Sequence, residues 1–200
     1  MTNIAVTQRV DFIEKYNEKR DSLDQRWFSF LNKCGITPIL LPNNPESTEA
    51  IFKNIQIDGI LLTGGNDLVE FGGNTPERDI VEKKLIEKSI DENLPLIGVC
   101  RGMQMLLNYF SAPMVQVEGH VASKHKIQYR GSNRIVNSFH NFAAMNLPSE
   151  LITEARSDDN VIEAIRHTEH SLYGIMWHPE RNEPFEDADY QLFHDMFKSQ

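Results

Sequence analysis

The feature that most restricts the fold is an alternation of short apolar runs with helical patterns. The runs IDGILLTGG (57–65) and LPLIGV (94–99) are nearly continuous apolar segments, typical of strands covered on both faces. Between them apolar residues recur at helical spacing from Asp79 to Asn93, and GMQMLLNYF (102–110) begins a second helix. This alternation predicts an α/β fold with parallel strands joined by right-handed crossovers.

The rest of the chain extends this pattern without a break. NIAVTQ (3–8) and TPILLP (37–42) are predicted strands, with a polar loop after the first and a helix from Asp21 that ends at Gly35. Further predicted strands are MVQVEG (114–119), RIVNSF (134–139), ITEARS (152–157), VIEAIRH (161–167) and SLYGIMWH (171–178), followed by a helix over 187–200. Because no linker composition separates these segments, residues 1–200 are expected to form a single domain.

Charge and cysteine content exclude several classes of function. The net charge of the 200 residues is −9, which argues against a nucleic-acid or anionic-membrane binder because such proteins present a cationic face. The sequence has two cysteines, Cys34 and Cys100, so no disulfide framework is expected. The N-terminal apolar stretch is too short for a signal peptide and no run reaches transmembrane length. A cytoplasmic protein is expected.

One of the cysteines stands where a nucleophile would stand. Cys100 follows LPLIGV at the entry to a helix, with Gly98 and Gly102 two residues away on either side. G-x-C-x-G is the cysteine counterpart of the nucleophile elbow, a strained strand-to-helix turn that exposes the nucleophile. The helix N-terminus favours the reactive thiolate. The alternative is a buried cysteine that ends a core strand, and Cys34 is expected to be packing of this kind.

A base and its orienting group are available later in the chain. His178 and Glu180 follow a buried-looking strand, and Pro179 between them restricts the backbone. A thiolate nucleophile needs a base, and the base needs a third group to orient it. Taken alone, the segment would favour a surface His-Pro turn.

Together these motifs resemble a known family. The matching segments are LLTGGND (61–67), Arg78–Asp79, GVCRGMQ (98–104), VNSFH (136–140) and WHPER (177–181). They resemble the class I glutamine amidotransferase-like superfamily, and within it the γ-glutamyl hydrolase branch, which is peptidase C26-like. The resemblance covers nearly the whole chain. It implies a three-layer sandwich with a central, mostly parallel sheet of the flavodoxin-like kind.

The resemblance also implies a mechanism. Cys100 would attack the γ-carbonyl of a glutamyl substrate to form a thioester. His178 would transfer the protons, and Glu180 would orient His178. The backbone N–H groups of Gly65 and Arg101 would form the oxyanion hole, since the family places its donors there.

Six further residues are predicted to lie at the substrate, with Arg9 among them. Gln104 matches the family's substrate-contacting glutamine, and Gly64 lets the backbone approach closely. The segment Ser138, Phe139 and His140 matches the strand whose backbone receives the α-carboxylate. A solvent-facing glutamine and a structural histidine are the alternative interpretations of Gln104 and His140.

A basic segment suggests an anionic leaving group. From position 119 to 149 the sequence has no Asp or Glu, and four cations fall there: Lys124, Lys126, Arg130 and Arg134. In a chain of net negative charge this segment could receive a diphosphate. Arg9, Arg20 and Arg26 could add to it, but salt bridges on a helix surface explain these three arginines equally well. The alternative is a solvated strand pair whose lysines protect a sheet edge.

The resemblance implies a specific substrate and leaves others open. Some members of the branch are found beside nucleotidyltransferases in bacterial surface-polysaccharide pathways, and the chain resembles these most. They imply γ-glutamyl-CDP-amidate as the substrate. Its cleavage would give glutamate and a cytidine diphosphoramidate for capsule biosynthesis. The alternatives are a γ-glutamyl amine hydrolase, a glutaminase that delivers ammonia to a separate synthetase, and a non-catalytic binding module. No nucleic-acid or membrane partner is expected.

No cofactor is expected, because a thiolate mechanism needs none. No metal is expected either: His120 and His125 have Lys124 and Lys126 beside them, and no CxxC or HExxH pattern occurs.

Overall fold

The computed structural model describes residues 2–198, in which thirteen strands and five α-helices occur. The strands are β1 (Thr2–Val6), β2 (Arg9–Ile13), β3 (Glu18–Ser22), β4 (Ile36–Leu40), β5 (Gly59–Leu62), β6 (Leu96–Val99), β7 (Met114–Gln116), β8 (Val121–Tyr129), β9 (Ser132–Phe139), β10 (Phe142–Ala144), β11 (Leu151–Ser157), β12 (Ile162–His167) and β13 (Leu172–Ile175). The helices are α1 (Arg26–Lys33), α2 (Pro45–Asn54), α3 (Pro76–Glu92), α4 (Arg101–Tyr109) and α5 (Asp187–Lys198).

Nine strands form one mixed sheet in the order β4-β1-β5-β6-β13-β12-β11-β8-β9. The strands from β4 to β13 in that order pair in parallel, and each later pair is antiparallel. Seven of the nine strands therefore point one way, and β12 and β8 point the other way. The predicted α/β fold is confirmed, and its central sheet is mixed, with four parallel and four antiparallel strand pairs.

The shared strand direction places distant parts of the chain at one edge of the sheet. The carboxyl ends of β1, β5, β6, β13 and β9 all lie there, together with the starts of the reversed strands β8 and β12. In open α/β sheets ligands bind at this edge.

Helices cover both faces and complete three layers. On one face α1 and α5 pack through an aromatic cluster that includes Trp27, Phe30 and Phe193. On the other face α2, α3 and α4 cover a core that includes Leu85 and Leu106. Within residues 2–198 no helix combines the length and apolar character needed to cross a bilayer.

The structure corrects several predicted elements. The polar loop expected after β1 is a hairpin, β2–β3, and the helix expected from Asp21 begins at Arg26. The elements α2, β8 and β10 were not predicted. The predicted C-terminal helix is observed as α5, and positions 199–200 lie outside the described residues.

Candidate active site

The backbone at Cys100 has the strained conformation of a nucleophile elbow. Cys100 lies between β6 and α4 with φ 53° and ψ −105°, a region that non-glycine residues rarely adopt. A Cβ on Gly98 would lie 2.5 Å from the carbonyl carbon of Gly102, and a Cβ on Gly102 would collide with the carbonyl oxygen of Leu62. Both glycines are therefore required for the turn to pack against β5 and α4.

Cys100, His178 and Glu180 form a connected set. Glu180 Oε1 lies 2.7 Å from His178 Nδ1, and Cys100 lies close enough to the same imidazole to raise its pKa. Burial lowers the pKa of His178, but the charges of Cys100 and Glu180 outweigh burial and raise that pKa to about 10. The arrangement can hold a thiolate beside an imidazolium, the ion pair that activates a cysteine nucleophile.

Asn137 fixes the backbone of His178 from the neighbouring half of the sheet. Its Oδ1 accepts the His178 N–H at 2.8 Å and its Nδ2 donates to the His178 carbonyl at 2.9 Å. Asn137 lies within VNSFH but was not among the predicted site residues. Its amide side chain, immediately before the predicted residues Ser138, Phe139 and His140, is the signal that could have indicated it.

Arg78 holds the glycine loop after β5. It is fully buried and donates to the carbonyls of Thr63 at 2.7 Å, Gly65 at 2.5 Å and Gly64 at 3.2 Å. Since a trans peptide places its N–H opposite its C=O, the bond to the Gly64 carbonyl turns the Gly65 N–H away from Arg78. This is the orientation that an oxyanion donor from the loop needs.

A buried ionic network supports both sides of the elbow. Arg101 forms ion pairs with Asp79 and Glu82, and Arg78 Nε donates to Glu82 at 2.9 Å. Burial raises the pKa of Glu82, but Arg101 and Arg78 outweigh burial and hold that pKa below its usual value. Arg101 is also the first residue of α4, so its N–H has no intrahelical partner and remains available at the helix N-terminus.

A cleft of about 290 Å³ opens over this set. Gly65, Gln104, Phe139 and His140 line it with Cys100, Arg101, His178 and others. Gln104 also donates to the Phe142 carbonyl at 2.8 Å. Seven of the predicted site residues therefore line one cleft.

Three predicted contacts have particular positions. Gly64 lies between the reacting groups, because a Cβ there would be 2.7 Å from His178 Cε1 and 3.6 Å from Cys100 Cβ. Arg9 is beside Gly65 and pairs with Asp11 at 2.8 Å. The Ser138 hydroxyl instead donates to the His120 carbonyl at 2.7 Å, so its side chain is engaged inside the fold.

A wider groove of about 890 Å³ adjoins the cleft, and we call it the outer groove. Its lining includes the cations Arg26, Lys124 and Arg181 and the acids Glu183 and Glu186. Phe139 and Arg181 line both cavities, and the Arg181 guanidinium lies 4.4 Å from the Phe139 ring. A substrate could therefore extend from the cleft into the outer groove past these two side chains.

The predicted basic segment does not form one continuous surface, which corrects that expectation. Arg134 is bound to Asp189 at 2.6 Å and Glu186 at 2.8 Å and packs over Trp177. Arg130 stacks 5.3 Å over the Tyr129 ring at the far end of β8. Of the four predicted anion-binding cations, Lys124 lines the outer groove, and Lys126 lies two residues further from its rim on the same strand face.

The structure also places a set of potential metal ligands together. His120, His125 and Glu163 offer ligand atoms within 4.8 Å of one another. The expectation of no metal here relied on the neighbouring lysines. Since successive residues of a strand face opposite sides, Lys124 and Lys126 project away from the face that carries His125.

Comparison with known proteins identifies the family. The family model described as peptidase C26 matches residues 3–180. The chain belongs to the peptidase C26 family.

Individual relatives agree with that assignment. A γ-glutamyl-CDP-amidate hydrolase from Campylobacter jejuni is 38% identical over 183 residues, which cover 89% of this chain and 90% of that protein. A γ-glutamyl-γ-aminobutyrate hydrolase from Escherichia coli O157:H7 is 27% identical, with 88% and 84% covered. The solved structure of a glutamine amidotransferase from Thermotoga maritima has a TM-score of 0.68 at 13% identity, with 99% and 84% covered. That structure supports the fold.

Proposed function

We propose that this peptidase C26 family member is a cysteine-dependent hydrolase that cleaves a γ-glutamyl C–N bond and releases L-glutamate. Family membership and the γ-glutamyl hydrolases among its relatives support the hydrolase class. The observation that carries the mechanism is the strained Cys100 in the same cleft as a His178 that Glu180 holds at 2.7 Å.

The proposed reaction proceeds through a thioester. The Cys100 thiolate attacks the γ-carbonyl, and the N–H groups of Gly65 and Arg101 stabilise the oxyanion, each contributing about 3 kcal/mol. The C–N bond breaks as the His178 imidazolium protonates the leaving nitrogen. His178, now neutral, takes a proton from water, whose oxygen attacks the thioester. The C–S bond then breaks and glutamate leaves.

Glutamate release from a panel of γ-glutamyl compounds tests this proposal. Cys100→Ala should lower kcat/KM more than about 10³-fold, because nucleophilic catalysis is lost. Cys34→Ala is the matched control, since Cys34 is a buried thiol in the core beside α1, and it should keep wild-type activity. Equal activity of Cys100→Ala and wild type would refute the mechanism.

The leaving group we propose is a nucleotide-linked amine, with γ-glutamyl-CDP-amidate as the substrate. Two observations support it: the relative of that name and the cations Arg26, Lys124 and Arg181 in the outer groove. A diphosphate placed past Phe139 would meet Lys124 and Arg181, which could bind its oxygens.

Charge removal in the outer groove tests the leaving group. Lys124→Ala should raise KM for γ-glutamyl-CDP-amidate several-fold. It should leave KM unchanged for a γ-glutamyl anilide, whose leaving group is uncharged. Lys126→Ala is the control, because it removes the same charge from the same strand face outside the lining. Far faster turnover of a phosphate-free substrate would exclude the nucleotide. Activity on glutamine alone would favour a glutaminase with a synthetase partner.

A further inference from the structure

Three histidines surround one buried carboxylate beside the cleft. Glu163 comes from β12, His125 from β8, and His120 and His140 from the segments next to β8 and β9. Glu163, His120 and His140 are each 3% exposed or less. None of these side chains belongs to the proposed reaction, although His140 lines the cleft.

Four of the six distances between these groups are close to the ligand spacing of a tetrahedral metal ion, and His120, His125 and Glu163 offer ligand atoms that all lie within 4.8 Å of one another. Glu163 Oε1 lies 3.1 Å from His125 Nε2, 3.3 Å from His120 Nδ1 and 3.4 Å from His140 Nε2. His120 Nδ1 and His140 Nε2 are 3.3 Å apart. In a tetrahedral zinc site with bonds of about 2.0–2.1 Å, neighbouring ligand atoms are about 3.3 Å apart.

Glu163 Oε1 has three histidine nitrogens at ion-pair distance but no aligned hydrogen bond from any of them. Within residues 2–198, Glu163 Oε2, His125 Nδ1 and His140 Nδ1 are also buried without a hydrogen-bond partner. Buried polar groups are normally paired, so a carboxylate oxygen surrounded by ring nitrogens without an aligned hydrogen bond needs an explanation. A cation bound between them would satisfy the Glu163 carboxylate and the nearest imidazole nitrogens together.

His120 has the surroundings of a metal ligand. Its Nδ1 lies 3.3 Å from both Glu163 Oε1 and His140 Nε2, and its Nε2 lies 3.0 Å from Asp159 Oδ2. Histidines that bind metals almost always donate their other ring N–H to a carboxylate or carbonyl, which fixes the tautomer. Asp159 can accept this bond and leave the Nδ1 lone pair of His120 directed at the cluster.

We propose that His120, His125, His140 and Glu163 form a binding site for a divalent transition-metal ion, with Zn²⁺ the ion that fits best. Imidazole nitrogen and carboxylate oxygen are ordinary zinc ligands, and tetrahedral coordination is the usual geometry of structural zinc sites. Three nitrogen donors exclude Ca²⁺ and Mg²⁺, which need oxygen ligands.

The bound ion would fix the end of β9 at the cleft. The His140 N–H donates to the His120 carbonyl at 3.0 Å, and the Ser138 hydroxyl donates to the same carbonyl. A metal bound by the side chains of His120 and His140 would link these two segments a second time. It would thereby restrain Phe139, which directly precedes His140. The metal site would therefore have a structural role, and it would act on activity through the shape of the cleft.

Zinc stoichiometry tests the proposal directly. Full-length Cys100→Ala protein, which removes the reactive thiol as a competing ligand, is loaded with Zn²⁺, gel-filtered and analysed for metal. We expect about one ion per chain, and at least about tenfold weaker binding in added Glu163→Gln or His125→Asn variants. His194→Asn is the matched control, because His194 is exposed on α5, and it should bind like the parent.

The outcomes separate a built site from surface binding. Less than about a tenth of an ion per parent chain, or equal binding by the parent and a folded His125→Asn variant, would overturn the proposal. If neither the Glu163→Gln nor the His125→Asn variant folds, the visible absorption spectrum of Co²⁺ bound to the parent protein tests the proposal. Strong visible bands of tetrahedral Co²⁺ without sulfur charge transfer support the site, and their absence excludes it.

Discussion

At the scale of single residues, Gly65 and Gly72 share one backbone conformation but differ in their surroundings. Both have φ 87°, but a Cβ on Gly65 would lie 3.3 Å from Arg9, whereas nothing lies within 4 Å of one on Gly72. Alanine at either position should cost about 1–2 kcal/mol of stability through backbone strain. Gly65→Ala should in addition lower kcat about 10²-fold, because it displaces a proposed oxyanion donor.

Urea unfolding and steady-state kinetics on the two glycine variants provide the measurement. Comparing the two variants is informative because both carry the same cost of backbone strain, whereas Gly65 and Gly72 differ in their position relative to Cys100. If both variants keep wild-type kcat, or lose it in proportion to their stability, the Gly65 N–H is not an oxyanion donor.

The titration of His178 gives a second residue-level prediction. Its pKa of about 10 results from burial, which lowers it, and from Cys100 and Glu180, which raise it more. Cys100→Ala removes one raising cause and leaves burial in place, so the pKa of His178 should fall. In the wild type, kcat/KM should decline as the pH rises through about 10, because the imidazolium that protonates the leaving nitrogen is lost.

NMR of the histidine ring protons against pH measures this difference. Cys34→Ala is the control, since Cys34 lies outside the site, and it should leave the His178 titration unchanged. A His178 that titrates at the same pH in wild type and Cys100→Ala would show that the thiolate does not act on it.

Residues in local motifs could be predicted, and residues defined by distant partners could not. Cys100 was found because two glycines at fixed spacing specify the elbow, and its backbone is strained as expected. Arg134 was misassigned because the acid that binds it, Asp189, lies 55 positions away. His125 was dismissed because sequence neighbours were treated as spatial neighbours, although strand alternation separates them.

At the scale of elements, α3 acts as the support of the glycine loop, and Arg78 is its main contact. Its guanidinium and the Glu82 carboxylate are both 0% exposed. Arg78→Met should lower the free energy of unfolding by about 3–5 kcal/mol, because the buried Glu82 carboxylate loses one of its two cationic partners. It should also lower kcat, because the carbonyls of Gly64 and Gly65 lose the donor that orients them.

Arg166→Met is the matched control for Arg78→Met in urea unfolding. Arg166 also binds a carboxylate, Glu154 at 2.7 Å, but its side chain is 45% exposed. The control should cost no more than about 1 kcal/mol. Equal costs for the two variants would contradict a supporting role for the buried pair.

The elements that were missed are those with weak apolar patterns. The hairpin β2–β3 and the start of β8 are exposed and charged, so their alternation gave no apolar period to detect. The helix α2 begins with Asn44, whose side chain accepts the Ser47 N–H at 2.8 Å, and with Pro45. Those are ordinary helix-start signals. The buried strands β5 and β6 were found because both of their faces are covered.

At the scale of the whole molecule, the shared direction of the strands brings together residues that are far apart in the sequence. The positions that line the cleft range from Gly65 to Arg181 and lie in separate elements. They meet because β5, β6, β9 and β13 end at the same edge. The parallel part of this arrangement was predictable from the strand–helix alternation. The return of β9 to that edge was not, because it depends on the unpredicted strand β8.

We propose that residues 1–200 form a single cooperative domain, although half of the sheet is parallel and half antiparallel. The pair β13–β12 joins the halves, and each hydrophobic core contains residues of both, such as Ile4 and Ile127 in one core. Ile127→Ala, in the antiparallel half, should therefore lower stability by about 2–5 kcal/mol. Its unfolding should shift equally by far-UV circular dichroism and by fluorescence of Trp27 and Trp177. Two separated transitions would mean that the parallel half keeps its fold after the antiparallel half has unfolded, and that the cleft between them is held by weaker contacts than the shared cores imply.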